Sequence, residues 1–290
     1  MVSASPPPIP FRLRALGLAE LLDETFRIYR RSFGLFAGLA LAVTLSGMVM
    51  NLLSGSYRSW GWLTRVVQNM SNPDALQGVA QSPPPQTDPA IGLLASLVRL
   101  ILVPVTAGVI IYTANQIIKG RNPTIVGALE GTLQRYWGLA GVALLGGVLL
   151  FAGILLITIP FVIWIAVRWL VGAPALLAED LGPVNALGRS WQLVAGRWWR
   201  TVGIFLVVVI MTTIASAILG ATGGAIIGLV PGLSDDLGGA LVQVTGSLTG
   251  ALVLPVSYIA ITLMYYDLRV RREGLDLDQL AQQAQPPSAA

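Results

Sequence analysis

The run Gly188–Arg200, GRSWQLVAGRWWR, interleaves three arginines with three tryptophans. Residues of these types can stack on nucleic-acid bases, settle at a membrane surface or line a catalytic loop. Two adjacent acid pairs, Glu179-Asp180 and Asp235-Asp236, could bind a cation, and Arg168 lies alone in the apolar stretch IWIAVRWLVGAP. The 290 residues include no histidine and no cysteine. That removes the commonest general base and metal ligand, together with thiol nucleophiles, disulfides and iron–sulfur sites. Neither acid pair has further carboxylates close by in sequence, so turn or cap roles suit them better than metal binding or paired-carboxylate catalysis. Gly220, Gly224 and Gly228 in GATGGAIIG resemble a phosphate loop only in composition. No lysine follows them, and their spacing suits close helix packing. No metal and no cofactor is expected.

Composition decides what kind of elements must position these residues. The chain is 54% hydrophobic and only 11% charged, whereas soluble domains carry roughly a quarter charged residues. So few charges could not cover a water-facing surface of this size, but lipid can replace water around an integral membrane protein. The net charge of +4 therefore matters less than where the charges lie. The opening MVSASPPPIP has no charged region followed by an apolar core, so targeting is expected to fall to the first membrane helix.

A spanning helix needs about 20 mostly apolar residues. Phe33–Leu53 and Ile91–Ile118 qualify, the second with Arg99 as its one charge. Tyr136–Val167 is uncharged and too long for one ordinary span. With Pro160 as a turning point, it reads as a hairpin of helices over about 138–157 and 160–178. Thr201–Ser234 and Leu237–Tyr266 bring the expected total to six. Six spans place fourteen lysines and arginines on the side of both termini and leave only Arg58 and Arg65 opposite. The positive-inside rule then makes both termini cytoplasmic. Residues 1–16 read as a flexible tail, 17–272 as one all-α membrane bundle and 273–290 as a cytoplasmic tail. The outer segment Ser54–Pro89, polar and proline-rich, is expected to be loosely ordered.

Read as a helix, the basic and aromatic run sorts its residues. Leu187, Trp191, Val194 and Trp198 share one face, away from Arg189, Gln192, Gly196 and Arg200. That separation argues against nucleic acid and for an amphipathic helix leading directly into a span. The pattern recurs. Leu22, Phe26, Tyr29 and Phe33 form one such face, with Glu24, Arg27 and Arg31 opposite, and Leu129, Leu133 and Tyr136 form another. A small hydroxyl residue, Thr25, Thr132 or Ser190, sits at the same place in each. The second span of each following pair carries a proline: Pro104, Pro160 or Pro255. The chain thus reads as three parallel units of interfacial helix plus membrane hairpin. Phe26, Tyr29, Trp191 and Trp198 are the expected lipid-facing residues. Arg27, Arg31, Arg189 and Arg200 are expected to contact headgroups, as are Arg269, Arg271 and Arg272 in YYDLRVRREG, beyond an aromatic belt.

Arg168 lies eight residues beyond Pro160, about 12 Å along a helix. A charge at that depth faces a bundle interior, a partner or a wet cavity, or else snorkels to the surface. Glu179 and Asp267 are the expected partners of an intramembrane ion pair or ligand site there.

The stretches LGLAELLDETFRIYRRSFGLF, VRWLVGAPALLAEDLGPVNALGRSWQLVAGRWWRTVG and YYDLRVRREGLDLDQL together resemble a family of bacterial polytopic proteins. It is the membrane domain of glycerophosphoryl diester phosphodiesterase, which occurs fused to that enzyme and alone. The resemblance runs over nearly the whole chain and implies a helical bundle in a prokaryotic plasma membrane. The family's catalytic domain relies on histidines and acidic metal ligands. This chain has no histidine, so the activity does not carry over with the fold.

The expected function is that of a non-enzymatic scaffold or accessory protein engaging anionic lipid or partner proteins at the cytoplasmic face. Its expected partners are membrane lipids, then other membrane proteins or further copies of the chain, and not nucleic acid. The competing readings are a transporter or lipid-translocating protein, suggested by Arg168 and the three prolines, and a lipid-modifying enzyme confined to arginine, aspartate, serine or tyrosine chemistry.

Overall fold

In a computed structural model, residues 14–55, 57–68, 72–81, 89–152, 159–230 and 233–274 are described, and among them the chain is all-helical. The helices are α1 (Leu18–Arg31), α2 (Phe33–Leu53), α3 (Tyr57–Gln68), α4 (Pro73–Gln81), α5 (Pro89–Ile118), α6 (Ile125–Leu133), α7 (Tyr136–Ala152), α8 (Ile159–Trp169), α9 (Gly172–Glu179), α10 (Pro183–Val194), α11 (Trp198–Gly228) and α12 (Asp235–Glu273). Five segments are long and apolar enough to cross a membrane: Phe33–Leu53, Ala90–Ile118, Pro160–Glu179, Trp198–Gly228 and Asp236–Glu273. The apolar helix Tyr136–Leu149 is shorter. These segments are compatible with a multi-pass membrane protein. The hairpin turn expected at Pro160 is not there, since Pro160 is the second residue of α8, and the preceding residues 153–158 lie outside the described residues.

Several boundaries differ from the sequence reading, each for a local reason. The expected helix over 160–178 is interrupted at Leu170–Val171, between α8 and α9. Pro174 has no N–H to give the Leu170 carbonyl, which is the bond an uninterrupted helix would require there. By contrast, α5 and α12 continue through Pro104 and Pro255. The segment Ser54–Pro89, expected to be loosely ordered, holds α3 and α4 in its described part.

The amphipathic helices do not run directly into the long apolar ones. Ser32 separates α1 from α2, Gln134-Arg135 separates α6 from α7, and Ala195-Gly196-Arg197 separates α10 from α11. In the last break Gly196 has φ +78°, where a side chain would be strained. Trp198 therefore opens α11 rather than extending the face of α10.

The stripes buried in the fold do not coincide with the apolar faces expected to meet lipid, although in α10 Leu187 and Val194 belong to both. In α1 the buried residues are Leu21, Thr25 and Ile28, while Leu22, Phe26 and Tyr29 beside them are half-buried. In α6 they are Ala128, Gly131 and Thr132, and in α10 Ala186, Leu187, Ser190, Leu193 and Val194. Small residues occupy these stripes because they let helix backbones approach closely.

The chain divides into two compact units, one of Met1–Phe36, Ala107–Val209 and Pro255–Ala290, the other of Ala37–Thr106 and Ile210–Leu254. The first has a core of Ile111, Leu139, Leu176, Leu177 and Ala186. Gly108 sits against this core, and a Cβ there would come 2.5 Å from both Leu139 Cδ1 and Thr132 Cγ2. Both neighbours are buried, so neither has room to withdraw. Gly108→Ala is expected to lower stability by about 1–3 kcal/mol through overpacking, read as a drop in melting temperature in detergent. An unchanged melting temperature would show that α5 and α6 are not in this contact. In the second unit Gly223 makes a similarly close approach to Thr245.

Candidate functional site: a basic and aromatic collar

The acid pair Asp235-Asp236 lies in the second unit, whereas the residues expected to form an intramembrane ion pair or to contact headgroups all lie in the first. Two carboxylates organise most of them. Glu179, the last residue of α9, accepts hydrogen bonds from Arg189 Nε of α10 at 2.9 and 3.0 Å. It also accepts from the Tyr265 hydroxyl of α12 at 2.7 Å, and Arg269 Nε stands 3.5 Å away. Glu273 closes the group, 2.5 Å from Arg189 Nη2 and 3.0 Å from Arg269 Nε. Tyr265, Arg269 and Glu273 come together because residues four apart share a helix face. Two acids thus balance two arginines. Burial would lower the Arg189 pKa, but the hydrogen bonds and charges of Glu179 and Glu273 outweigh it and raise the value.

The second carboxylate, Asp267 of α12, has a side chain 0% exposed. Its Oδ1 accepts from the Leu16 N–H at 2.7 Å and from Arg271 Nε at 2.9 Å, and its Oδ2 accepts from Arg200 Nη2 at 2.9 Å. The same arginines donate to the Leu16 carbonyl, Arg200 at 2.5 Å and Arg271 at 2.8 Å. Leu16, expected at the end of a flexible tail, is instead buried and held at both backbone groups. Arg197 adds a 2.9 Å bond to the Arg271 carbonyl. Arg272 donates to the carbonyls of Gln192 and Ala195, so a cation occupies the electronegative end of α10.

Neither carboxylate takes Arg168, which has no ion pair or hydrogen-bond acceptor for its guanidinium among the described residues. Its Cζ instead lies 4.8 Å from the Trp164 ring centre and 4.6 Å from that of Trp191. The two indoles meet edge to face, 5.0 Å apart at 88°, forming a right-angled corner. Ser190 Oγ donates to the Arg168 carbonyl at 2.7 Å, and Trp198 Nε1 donates to the Trp164 carbonyl at 3.2 Å. The corner is therefore fixed from α10 and α11. A charge in a spanning helix costs about 2.5–3.5 kcal/mol on insertion scales. Two cation–π contacts return about 0.5–2 kcal/mol each. The rings can offset the charge, but they satisfy none of the guanidinium N–H donors.

The aromatic residues expected to face lipid are engaged with their neighbours. Tyr29 packs edge to face on Phe33, Trp191 on Trp164 and Trp198 on Trp199. Phe26 is half-buried. The large exposed rings are others: Trp137 at 84%, Trp199 at 80% and Phe33 at 46% exposure, at or next to the starts of α7, α11 and α2, and Phe161 at 60% on α8. The signal of the first three in the sequence was position alone, at the entrance of a long apolar run. Among the arginines, Arg27 is exposed and paired with Glu24, whereas Arg30 and Arg31 are exposed with no ion-pair partner among the described residues. Asp180 pairs with Arg135 at 2.7 Å, and the other acid pair contributes Asp236, which stands 3.8 Å from Arg58.

Among the described residues, no group of three or more histidine, cysteine or acidic side chains is placed to hold a metal ion. Compared with known proteins, the chain matches no family model, no curated protein and no solved structure.

Proposed function

We propose that the chain is a non-enzymatic, multi-pass protein of a prokaryotic plasma membrane, a scaffold or accessory protein whose cytoplasmic collar engages anionic lipid. The observation that carries this reading is the set of exposed rings, Phe33, Trp137 and Trp199, at the entrances of three apolar helices, with Arg30 and Arg31, exposed and without an ion-pair partner among the described residues, just before one of them. The amphipathic indoles of Trp137 and Trp199 favour the headgroup level, and a basic residue near an anionic surface contributes about 1 kcal/mol. The paired arginines serve differently: they tie α9, α10, α11, α12 and Leu16 into a fixed platform.

In this reading α7 is a sixth span, both termini are cytoplasmic, and the bundle is three units of interfacial helix plus hairpin, as in the membrane-domain family named above. Support for the repeat comes from Leu21 and Thr25, Ala128 and Thr132, and Ala186 and Ser190. Each pair is four residues apart and 0% exposed. Support for a non-enzymatic role comes from a sequence without histidine or cysteine.

Affinity purification in mild detergent, with mass spectrometry of the co-purifying lipids, tests the proposal. Enrichment of anionic phospholipid over its share of the membrane is expected, and lipid in proportion to the membrane would count against it.

A further inference from the structure

We infer that Arg168 and the Trp164–Trp191 corner form a binding site for a phosphate oxyanion, carried on a lipid headgroup or free. The inference rests on the membrane reading above, but on different atoms. A structural arginine in an apolar helix would be expected to give its N–H groups to a carboxylate or to carbonyls. Here Glu179 is occupied by Arg189, Arg269 and Tyr265, and Asp267 by Arg200, Arg271 and Leu16. Arg168 Nε is enclosed without an acceptor. The Nη nitrogens have no acceptor among the described residues either, yet they are not enclosed. The guanidinium is thus held in place by two ring contacts, with its outer donors uncommitted.

The surroundings are built for fixity. Trp164 lies one helical turn before Arg168 on α8, and Trp191 adjoins Ser190, whose hydroxyl holds the Arg168 carbonyl. Such a guanidinium presents a preorganised fork, the geometry that matches two oxygens of a phosphate. The rings and the apolar helix leave Arg168 half-buried, and the lower local polarity strengthens a charge-assisted bond. A carboxylate ligand would also fit the fork. Arg168 lies in the last turn of α8, beside the break at Leu170–Val171 and inside the candidate span Pro160–Glu179. Phosphate is preferred because its charge is shared over several oxygens, two of which can meet the fork while others stay bonded to a carrier or to water.

The test uses the purified full chain in detergent and its tryptophan emission. Dioctanoyl phosphatidic acid should change the emission saturably, and dioctanoylglycerol, which lacks the phosphate, should not. Arg168→Gln should weaken the phosphatidic acid response by about tenfold or more, the loss of one charge-assisted bond. Arg168→Lys keeps the charge without the fork and should weaken it too. Competition by inorganic phosphate would assign the site to free phosphate, and its absence would assign it to the headgroup. If Arg168→Gln fails to fold, the Arg168→Lys variant and the two wild-type titrations still decide. An equal response to dioctanoylglycerol, or an unchanged response in a folded variant, would overturn the inference. The collar proposal fails separately. Loss of Arg30 and Arg31 with no effect on vesicle binding would remove the collar and leave the Arg168 titration standing.

Discussion

Asp267→Asn is expected to be the most damaging single change in the charged platform. Asparagine keeps the shape and can still accept from the Leu16 N–H, but it strands Arg200 and Arg271 beside a buried neutral group. Breaking a buried pair by removing one partner costs about 3–5 kcal/mol. Both arginines keep 29% of their side-chain surface exposed, so water can rehydrate part of the released charge and the loss should fall near the low end of about 2–4 kcal/mol. Two readouts follow. The melting temperature in detergent should fall by about 5 °C or more, and trypsin should cleave after Arg14 faster because Leu16 is held less firmly once Arg200 and Arg271 lose their carboxylate. A variant with wild-type melting and wild-type cleavage would show that the Leu16–Asp267–Arg200–Arg271 group does not hold the N-terminal segment.

Glu179→Ala is expected to rank next. It leaves Arg189 and Arg269 sharing Glu273 and removes the acceptor of the Tyr265 hydroxyl, whose ring is buried. The cost should be about 2 kcal/mol, since partly exposed charges lose less than buried ones. Glu179→Gln should cost less, because its carbonyl can still accept from Tyr265. The informative comparison is Glu179→Ala with Arg189→Met. Once the carboxylate is gone, removing the arginine should add little destabilisation or relieve some, because it no longer leaves two guanidinium groups competing for one acid. Strictly additive losses in chemical denaturation would mean that the two residues act independently.

Much of this platform was legible in the sequence, but not its purpose. Asp267 with Arg271 and Arg269 with Glu273 are four apart in YYDLRVRRE, so their pairing is a local consequence of helix geometry. Arg200 and the backbone of Leu16, distant in sequence, could be found only from the fold. The same holds for Arg168. Its isolation in an apolar run marked it, yet its companions are rings rather than the nearest carboxylates. The buried stripe of α1, Leu21, Thr25 and Ile28, lies one residue from its apolar face, and hydropathy marks only the latter. Thr25, Thr132 and Ser190 are each 0% exposed, as small residues at a close helix approach would be. The breaks at Ser32, Gln134-Arg135 and Ala195–Arg197 were missed because the apolar spacing continues across them. Only Gly196 signalled a change of direction.

The central claim, that the collar lies at a membrane surface and holds anionic lipid, is tested most directly by quenching in reconstituted vesicles. Full-length protein would be placed in bilayers containing either brominated phosphatidylglycerol or brominated phosphatidylcholine at equal mole fraction. Stronger tryptophan quenching by the anionic lipid is expected, with that excess reduced when Trp137 and Trp199 are both changed to phenylalanine, and reduced also by Arg30→Gln with Arg31→Gln. Equal quenching by the two lipids, unchanged by either double variant, would contradict the account.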